Sequence, residues 1–166
     1  MTDRQHGERR SRREPTHEPI TGREELGDLS TPIQALAQFY RALNARDLDM
    51  MFENWHPGDE AVMDNPVGGI KRGWPDIRQV YERVFQGQAK FSFEFYDYTL
   101  HESGDVFYVV GRERGRYEVG GVDLSLAIRT TRVFRKVDGH WRQVHHHGSI
   151  DDPESLEAYQ KAILGG

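Results

Sequence analysis

The stretch ALNARDLDMMFENWHPGDEAVMDNPVGGIKRG, residues 42–73, decides the fold. Asp47 is placed to cap a helix that runs through LDMMFENW, and Pro57 and Gly58 end that helix. The next segment, EAVMDN, predicts a short strand closed by Pro66, after which a run of glycines predicts a turn-rich connection. A helix, a carboxylate, an amide and a glycine-rich turn follow one another here. This order raises the question of whether the stretch forms one wall of a pocket.

The flanking segments predict two further long helices and a sheet. Before the stretch, TPIQ (31–34) has the Thr, Pro and Gln positions of a helix-start capping box. After it, apolar residues at helical spacing predict a third helix at about residues 75–86. The pattern then changes to alternating strands, and the last two are joined by a hairpin turn at Asp138 and Gly139. Asp152 begins a short final helix.

This order of elements predicts an α+β fold. The expected architecture is a cone-shaped, curved antiparallel sheet wrapped around three N-terminal helices. Such a cone closes at one end and leaves a central pocket at the other, which is a common place for a small ligand.

The composition is that of one globular domain preceded by a polar tail. The chain has 166 residues, a net charge of −5 and no cysteine. Residues 1–29 carry few large apolar side chains and are expected to be a flexible tail, with the domain at residues 30–166. The charge balance, with no long apolar run, gives no reason to expect a nucleic-acid or membrane partner. A cytoplasmic location is expected.

Three segments resemble the nuclear transport factor 2-like superfamily, which also contains SnoaL-type polyketide cyclases and ketosteroid isomerases. The segments are FYRALNARDLDMM (39–51), DNPVGGIKRGWPDIRQVYERVF (64–85) and TTRVFRKVDGHWRQVHHHGS (130–149). The resemblance covers about residues 32–150. It implies the cone-shaped fold but no single function, because this fold carries enzymes and non-enzymes alike.

The same resemblance argues against ketosteroid isomerisation. The proton-abstracting Asp of that family falls on Asn65, which cannot accept a proton at neutral pH. Its oxyanion-stabilising Tyr falls on Phe39, with Tyr40 one helix position away. Its protonated Asp falls near Thr130. Asp64 could replace the missing base only if the strand register slipped by one residue.

The C-terminal segment also resembles the end of the association domain of calcium/calmodulin-dependent kinase. In that domain, arginines and a histidine line the cavity and receive small carboxylates. Carried over by position, two of these arginines fall on Arg132 and Arg112, and the histidine falls near Arg78. The last arginine falls on Gly148, so one contact is missing. His146 is a partial substitute, since it shares a strand face with that position.

Strand alternation groups the side chains of each strand by face, and the resemblance implies which of the two faces is turned to the pocket. On the last strand, the set expected outside is Trp141, Gln143, His145 and His147. The set expected inside is Arg142, Val144, His146 and Gly148. By the same rule Arg112 is expected inside together with Tyr108 and Val110, and Arg132 together with Thr130 and Phe134.

The predicted site is a pocket for a small anion or carboxylate. Converging guanidinium groups repel one another, so they need an anion or acids such as Asp64 and Glu82 nearby. The predicted binding residues are Arg78, Arg112, Arg132 and His146, beside Asn65 and walled by Phe39, Tyr40, Trp55, Tyr81 and Tyr108. The alternative is that the arginines form a solvated sheet edge, the aromatic residues form core packing and Asp64 serves a turn.

Two functions remain open from the sequence alone. The first is a ligand-binding or assembly domain without chemistry of its own, which the missing isomerase residues favour. The second is a small enzyme, such as a cyclase, dehydratase or isomerase. It would use His146 or Asp64 as general base and Tyr40 or Tyr81 as hydrogen-bond donor.

No cofactor is expected, and the partners are expected to be a small molecule and a second copy of the chain. The histidine run 145–147 invites a metal interpretation, but no third ligand follows at a diagnostic spacing, so no metal site is predicted. A homodimer is expected through the outer sheet face, where Trp141 would provide an aromatic anchor.

Overall fold

The protein is described by a computed structural model that covers residues 14–165, in which four helices and six strands form an α+β fold. The helices are α1 (Pro32–Ala45), α2 (Leu48–Asn54), α3 (Trp74–Gln86) and α4 (Pro153–Leu164). The strands are β1 (Val62–Asp64), β2 (Ile70–Arg72), β3 (Lys90–Ser103), β4 (Val106–Val119), β5 (Val122–Val137) and β6 (His140–Ser149). None of these helices is long and apolar enough to cross a membrane.

The strands form one open sheet in the order β2-β1-β6-β5-β4-β3. Neighbouring strands are antiparallel except β1 and β6, which run parallel. The predicted α+β class is therefore confirmed, and the predicted antiparallel sheet is mixed at one point. The short strand from the stretch 42–73 lies directly beside the last long strand, and this places the glycine-rich turn at the end of β6.

The helices begin where the sequence predicts. At α1, Thr31 Oγ1 accepts a hydrogen bond from the Gln34 N–H at 3.3 Å, and Gln34 Oε1 accepts one from the Thr31 N–H at 3.1 Å. At α2, Asp47 Oδ1 accepts a hydrogen bond from the Met50 N–H at 2.9 Å. α3 follows Gly73, whose φ of 76° lies in the region that favours glycine.

Two β-bulges bend the long strands around the helices. On β3, a register shift after Tyr96 places two residues opposite Gly111 of β4. A Cβ on Gly111 would lie 2.6 Å from the Cβ of Tyr98, so only glycine permits this close approach. On β6, a second shift leaves Val144 as the extra residue between the partners of Val133 and Phe134.

The hydrophobic core lies between the helices and the concave face of the sheet. It contains the inward side chains of α1 and α3 and alternate residues of the long strands. Its largest fully buried apolar members include Leu36, Phe39, Tyr40, Trp55, Phe95 and Phe134. Near the hairpin ends, the Phe107 and Phe134 rings stack with centroids 4.6 Å apart. This end of the cone is therefore filled.

The segment before α1 differs from the flexible tail predicted up to residue 29. The Ile20 side chain is 3% exposed, and the backbone of Ile20 exchanges hydrogen bonds with Phe95 at 2.8 and 2.9 Å. The Thr16 N–H donates to the Tyr98 carbonyl at 2.7 Å. The segment docks because it satisfies the open edge of β3 and buries its one well-placed apolar side chain. Residues 1–13 lie outside the described residues.

Candidate functional site

The wider end of the sheet, together with α1, α3 and α4, encloses a cavity of about 290 Å³. Its walls are mostly apolar, which is typical of small-molecule sites. The apolar and aromatic walls include Phe39, Met63, Phe91, Phe93, Tyr117 and Ile128. The polar side chains that matter most are Lys71, Tyr81, Arg83, Glu113, Arg132 and His146.

A buried ion pair forms the inner end of the cavity. Arg132 is 1% exposed and Glu113 is 5% exposed, and Arg132 Nη2 lies 2.5 Å from Glu113 Oε1. The same carboxylate oxygen accepts a hydrogen bond from the Tyr40 hydroxyl at 2.5 Å. Arg132 Nη1 donates to Gln143 Oε1 at 2.7 Å. Each charge has a close partner, so the pair can stay buried while its charges cancel.

Aromatic side chains enclose this pair. The guanidinium carbon of Arg132 lies 3.6 Å from the centroid of the Phe39 ring, an attractive cation–π geometry. Burial raises the pKa of Tyr81 to about 12 and also raises the pKa of Tyr40 well above its usual value. Both phenols therefore stay protonated at neutral pH and can donate hydrogen bonds.

Among the described residues that line the cavity, His146 has buried polar atoms without a hydrogen-bond partner. Its side chain is 6% exposed, and neither Nδ1 nor Nε2 has a hydrogen-bond partner within residues 14–165. Burial, with the positive charge of Arg132 as the next cause, lowers the pKa of His146 well below the usual 6.5. A Cβ on Gly148 would lie 3.1 Å from Cδ of Pro66 and 3.3 Å from Nε2 of His146, so a larger residue here would crowd the ring. The neutral imidazole thus has one donor and one acceptor free for a ligand.

The outer end of the cavity is covered by α4 and bordered by two cationic side chains. Gln160 of α4 donates from Nε2 to the Val67 carbonyl at 3.0 Å, which ties the helix to the glycine-rich turn. Lys71 of β2 and Arg83 of α3 also line the cavity, with Arg83 exposed and Lys71 partly buried. The cavity therefore has a polar buried end and a cationic exposed end.

Residues 33–153 match the model of the SnoaL-like domain. The chain belongs to the SnoaL-like domain family. A search of curated proteins found no match. The predicted membership of the nuclear transport factor 2-like superfamily is confirmed by this match and by the fold of the solved structures that this SnoaL-like domain resembles.

Three solved structures illustrate the likeness. A candidate dehydratase of the nuclear transport factor 2-like family from Streptomyces avermitilis has a TM-score of 0.66 at 21% identity, over 74% of this chain and 95% of that one. A candidate calcium/calmodulin-dependent protein kinase type II association domain from Thiobacillus denitrificans has a TM-score of 0.59 at 25% identity, over 74% and 96%. A ketosteroid isomerase-like protein from Erwinia carotovora atroseptica has a TM-score of 0.63 at 20% identity, over 76% and 98%.

Arg78 of this SnoaL-like domain was predicted to bind the ligand, but it lies outside the cavity. It points to solvent from α3 and pairs with Glu82, with Nε 2.7 Å from Oε1. On the same helix, Ile77 and Tyr81 are the buried residues. Arg78 follows Ile77 by one position, about 100° around the helix, so it faces away from the core.

Arg112 and Tyr108 are also misplaced by the prediction. Arg112 is exposed on the outer sheet face and pairs with Asp97 at 3.3 Å, and Tyr108 is 42% exposed on the same face. Alternation correctly groups these two residues but assigns them to the wrong side. The inward residues of β4 are their neighbours, which include Val109 and Glu113.

Asp64 and Asn65 are adjacent at the end of β1, but their side chains lie on opposite sides of the cavity wall. Asp64 Oδ2 lies 3.0 Å from Nδ1 of the half-exposed His147, outside the cavity, because Met63 is the inward residue of β1. The prediction of Asp64 as a base inside the pocket is therefore wrong. Asn65 does line the cavity, and its Oδ1 accepts a hydrogen bond from the Val67 N–H at 3.1 Å, which supports the turn.

The remaining predicted residues divide into cavity walls and core. Arg132 and Tyr81 line the cavity together with His146. Tyr40 and Trp55 are both 0% exposed and lie behind the wall, where Tyr40 orients the Glu113 carboxylate. Of the four residues predicted to hold an anion, the structure brings Arg132 and His146 together.

The β-bulge at Val144 explains why the predicted faces on β6 are right for His146 but wrong for Trp141 and Gln143. Before the bulge, Trp141 and Gln143 face inward; after it, His146 faces inward, because the extra residue restarts the alternation. Trp141 is 3% exposed, and its Nε1 donates to the Ser30 carbonyl at 3.2 Å. Trp141 is therefore a core residue. The prediction that it anchors a dimer on the outer sheet face is wrong.

Sequence reasoning missed Glu113 and assigned Gln143 to the wrong face. A usable signal for Glu113 was present in β4, because Phe107, Val109 and Tyr117 share its parity and form an apolar inner row. A lone acid in such a row is a candidate for a buried partner of an arginine on the next strand. For Gln143, the β-bulge at Val144 interrupts the alternation on β6, so the sequence carries no comparable signal that this side chain faces inward.

Other surface features are weaker candidates. A larger groove of about 770 Å³ lies where residues 21–23 meet α1 and the strands β3 to β5, but it is open and lined in part by exposed charged side chains such as Arg116. Within residues 14–165, no group of three or more His, Cys, Asp or Glu side chains is arranged to hold a metal ion. The enclosed cavity is therefore the candidate site.

Proposed function

We propose that this SnoaL-like domain binds a small, largely apolar molecule that carries a hydrogen-bonding group, and that this group pairs with His146. The observation that carries the proposal is the isolated imidazole at the end of an apolar cavity of about 290 Å³. Buried polar groups are almost always hydrogen-bonded, so an unpaired ring in a cavity indicates that a ligand or water satisfies it.

The charge of the buried pair sets the nature of the ligand's inner group. Glu113 already neutralises Arg132, and His146 is uncharged at pH 7. The inner end therefore has no net charge with which to attract an anion. A neutral hydroxyl or carbonyl group is favoured there over the carboxylate that the arginine cage was predicted to hold.

Isothermal titration calorimetry with naphthalene and 2-naphthol tests this proposal. The two probes share an apolar body, and the hydroxyl is the one added polar group. We expect 2-naphthol to bind about fivefold to tenfold more tightly, since a net hydrogen bond is worth about 1 kcal/mol.

The preference for 2-naphthol should vanish in His146→Leu and persist in His147→Leu. His147 lies on the same strand and faces outward, so it is a matched control. Binding of neither probe, or an unchanged preference in His146→Leu, would count against the proposal.

A second candidate function is proton transfer at carbon. A neutral, unpartnered imidazole can accept a proton from the carbon beside a carbonyl, while the Tyr81 hydroxyl, which lines the same cavity, donates a hydrogen bond to the enolate oxygen. Return of the proton to carbon completes the cycle. The dehydratase and isomerase-like neighbours are only 21% and 20% identical to this chain, so their likeness supports the fold and not an activity. The support for this candidate function is therefore the unpaired ring of His146.

Exchange of the C1 protons of 2-tetralone in D₂O, followed by NMR, measures such proton transfer. An enzyme should accelerate the exchange above the buffer rate, and His146→Leu should return it to that rate. Exchange at the buffer rate with the unmodified protein eliminates this candidate and leaves the binding function in place.

We also propose that the protein forms a homodimer through the outer sheet face. The structural neighbours include an association domain, and that face exposes Tyr108 and Val110 at 42% and 46%. Exposed large apolar side chains on a sheet face are typical of an interface. The cytoplasmic location expected from the sequence stays a prediction.

A further inference from the structure

The charged side chains around the cavity are distributed unevenly. The lining contains three permanent cations, Lys71, Arg83 and Arg132, against one carboxylate, Glu113. The whole chain carries a net charge of −5. Since Arg132 is neutralised by Glu113, the excess positive charge of the cavity belongs to Lys71 and Arg83 at its exposed end.

Of the three cations that line the cavity, Lys71 and Arg83 have no acidic partner within residues 14–165, whereas Arg132 pairs with Glu113. Neither side chain forms an ion pair or hydrogen bond within residues 14–165. On the outer sheet face, by contrast, Arg112 pairs with Asp97 and Arg114 pairs with Glu94. Arg83 lies in the last turn of α3, where a cation also complements the helix dipole, but Lys71 lies on β2 and has no such role.

We infer that the ligand of this cavity is an amphipathic organic anion, held with its apolar body inside, its neutral polar group at His146 and its anionic group between Lys71 and Arg83. This inference rests on the proposed binding function and adds the chemical class of the ligand. Two partnerless cations at the entrance of an apolar cavity attract an anion and leave the low-dielectric interior to the uncharged part of the molecule. The acid stays near water, so its desolvation cost is small.

The arrangement differs from the anion cage predicted from the sequence. That cage placed the carboxylate deep in the cone among Arg112, Arg132 and His146. Here the anion lies at the opposite end, and the buried arginine serves as part of a neutral floor. A ligand with polar groups at both ends and an aromatic or aliphatic body between them fits this distribution.

The test compares 6-hydroxy-2-naphthoate with 2-naphthol by isothermal titration calorimetry at low ionic strength. The two probes differ by one carboxylate at the end of the ring system remote from the hydroxyl. We expect 6-hydroxy-2-naphthoate to bind about tenfold more tightly, since two partly exposed charge contacts together supply on the order of 1 kcal/mol. This preference should shrink when the salt concentration is raised.

The decisive variant is Lys71→Gln/Arg83→Gln, and its matched control is Arg72→Gln/Lys90→Gln. Both double variants change the net charge equally, but Arg72 and Lys90 do not line the cavity. The first variant should bind both probes equally, and the control should keep the preference. Thermal melts establish that both variants are folded.

The outcomes separate this inference from the proposed function. If 2-naphthol binds but the carboxylate brings no added affinity, or if the added affinity survives in Lys71→Gln/Arg83→Gln, the anionic subsite is overturned and the binding function stands. If neither probe binds the unmodified protein, both are overturned.

Discussion

At the scale of a single residue, the unpaired ring of His146 lowers the stability of the folded protein but offers polar atoms that a ligand can bind. Both ring nitrogens are buried without a hydrogen-bond partner among residues 14–165, and an unpaired buried polar group costs free energy. A site that gains its hydrogen bond when a ligand arrives is expected to be less stable when it is empty.

Replacing His146 with Leu should therefore stabilise the unliganded protein. At pH 7.5 we expect the free energy of unfolding to rise by about 1–2 kcal/mol, because an unsatisfied polar group is replaced by an apolar one of similar size. Urea denaturation followed by circular dichroism measures this change. His147→Leu, on the outer face, should not raise stability, and a destabilised His146→Leu protein would show that the ring has a partner after all.

The advantage of His146→Leu should grow as the pH falls. The pKa of His146 is lowered in the folded state, so below about pH 6.5 the unfolded chain binds a proton that the folded protein excludes. The unmodified protein should lose on the order of 1 kcal/mol by pH 5.5 through this group, and the variant should not. The same denaturation experiment at pH 7.5 and 5.5 gives the difference.

Glu113 stabilises the folded protein, unlike His146, because its carboxylate neutralises the buried guanidinium of Arg132. Glu113→Leu should lower the free energy of unfolding by about 3–5 kcal/mol, because it leaves a guanidinium buried without its counter-charge. The double variant Glu113→Leu/Arg132→Met should recover much of that loss, because it removes both charges. If the double variant is no more stable than the single one, the pair does not act as a charge-compensated unit.

At the scale of elements, the sequence predicts what depends on local spacing and fails where the period is interrupted. The caps at Thr31, Asp47 and Asp152 were all readable, because capping is set by residues three positions apart. On β5, alternation groups Arg132 with Thr130 and Phe134, and the family resemblance implied that this face is inward. The inward position of Trp141 could not be predicted, because the β-bulge at Val144 reverses the faces of β6 and no residue type in the sequence marks this bulge.

The final helix, α4, covers the cavity although it buries no residue completely. Its start depends on Asp152, whose Oδ2 accepts hydrogen bonds from the Ser155 N–H at 2.9 Å and the Ser155 hydroxyl at 2.5 Å. Asp152→Ala should weaken the helix start by about 1 kcal/mol and speed ligand dissociation about fivefold. Stopped-flow release of 2-naphthol measures this rate.

Asp151→Ala serves as the control for that prediction. Asp151 pairs with the exposed Arg129 and makes no cap, so its loss should leave the dissociation rate nearly unchanged. Equal dissociation rates for Asp152→Ala and the unmodified protein would indicate that α4 does not govern access to the cavity.

At the scale of the whole molecule, the fold class follows from element order, whereas the site does not. Helices interrupted by one short strand and followed by long strands leave few α+β arrangements, and the structure has the expected one. The site depends on which of two sheet faces is inside. For β4, alternation alone cannot decide which face is inside, because Tyr108 and Val109 lie on opposite faces and both are apolar enough to be buried.

The proposed dimer is also a property of the whole molecule. Tyr108→Asp/Val110→Asp should convert the dimer to a monomer, because two charges would be forced into an apolar interface. Light scattering at micromolar concentration measures the mass. Val122→Asp, at an exposed hairpin position, should remain dimeric. A monomeric unmodified protein, or a dimer that survives the double substitution, would exclude this interface.

The most direct test of the account is a crystal structure of the protein with 6-hydroxy-2-naphthoate. We expect the naphthalene ring to lie inside the cavity and the hydroxyl oxygen to lie about 3 Å from a ring nitrogen of His146. The carboxylate should lie between Lys71 and Arg83. A probe bound elsewhere on the surface, or a cavity closed by side chains with His146 paired to another protein group, would contradict it.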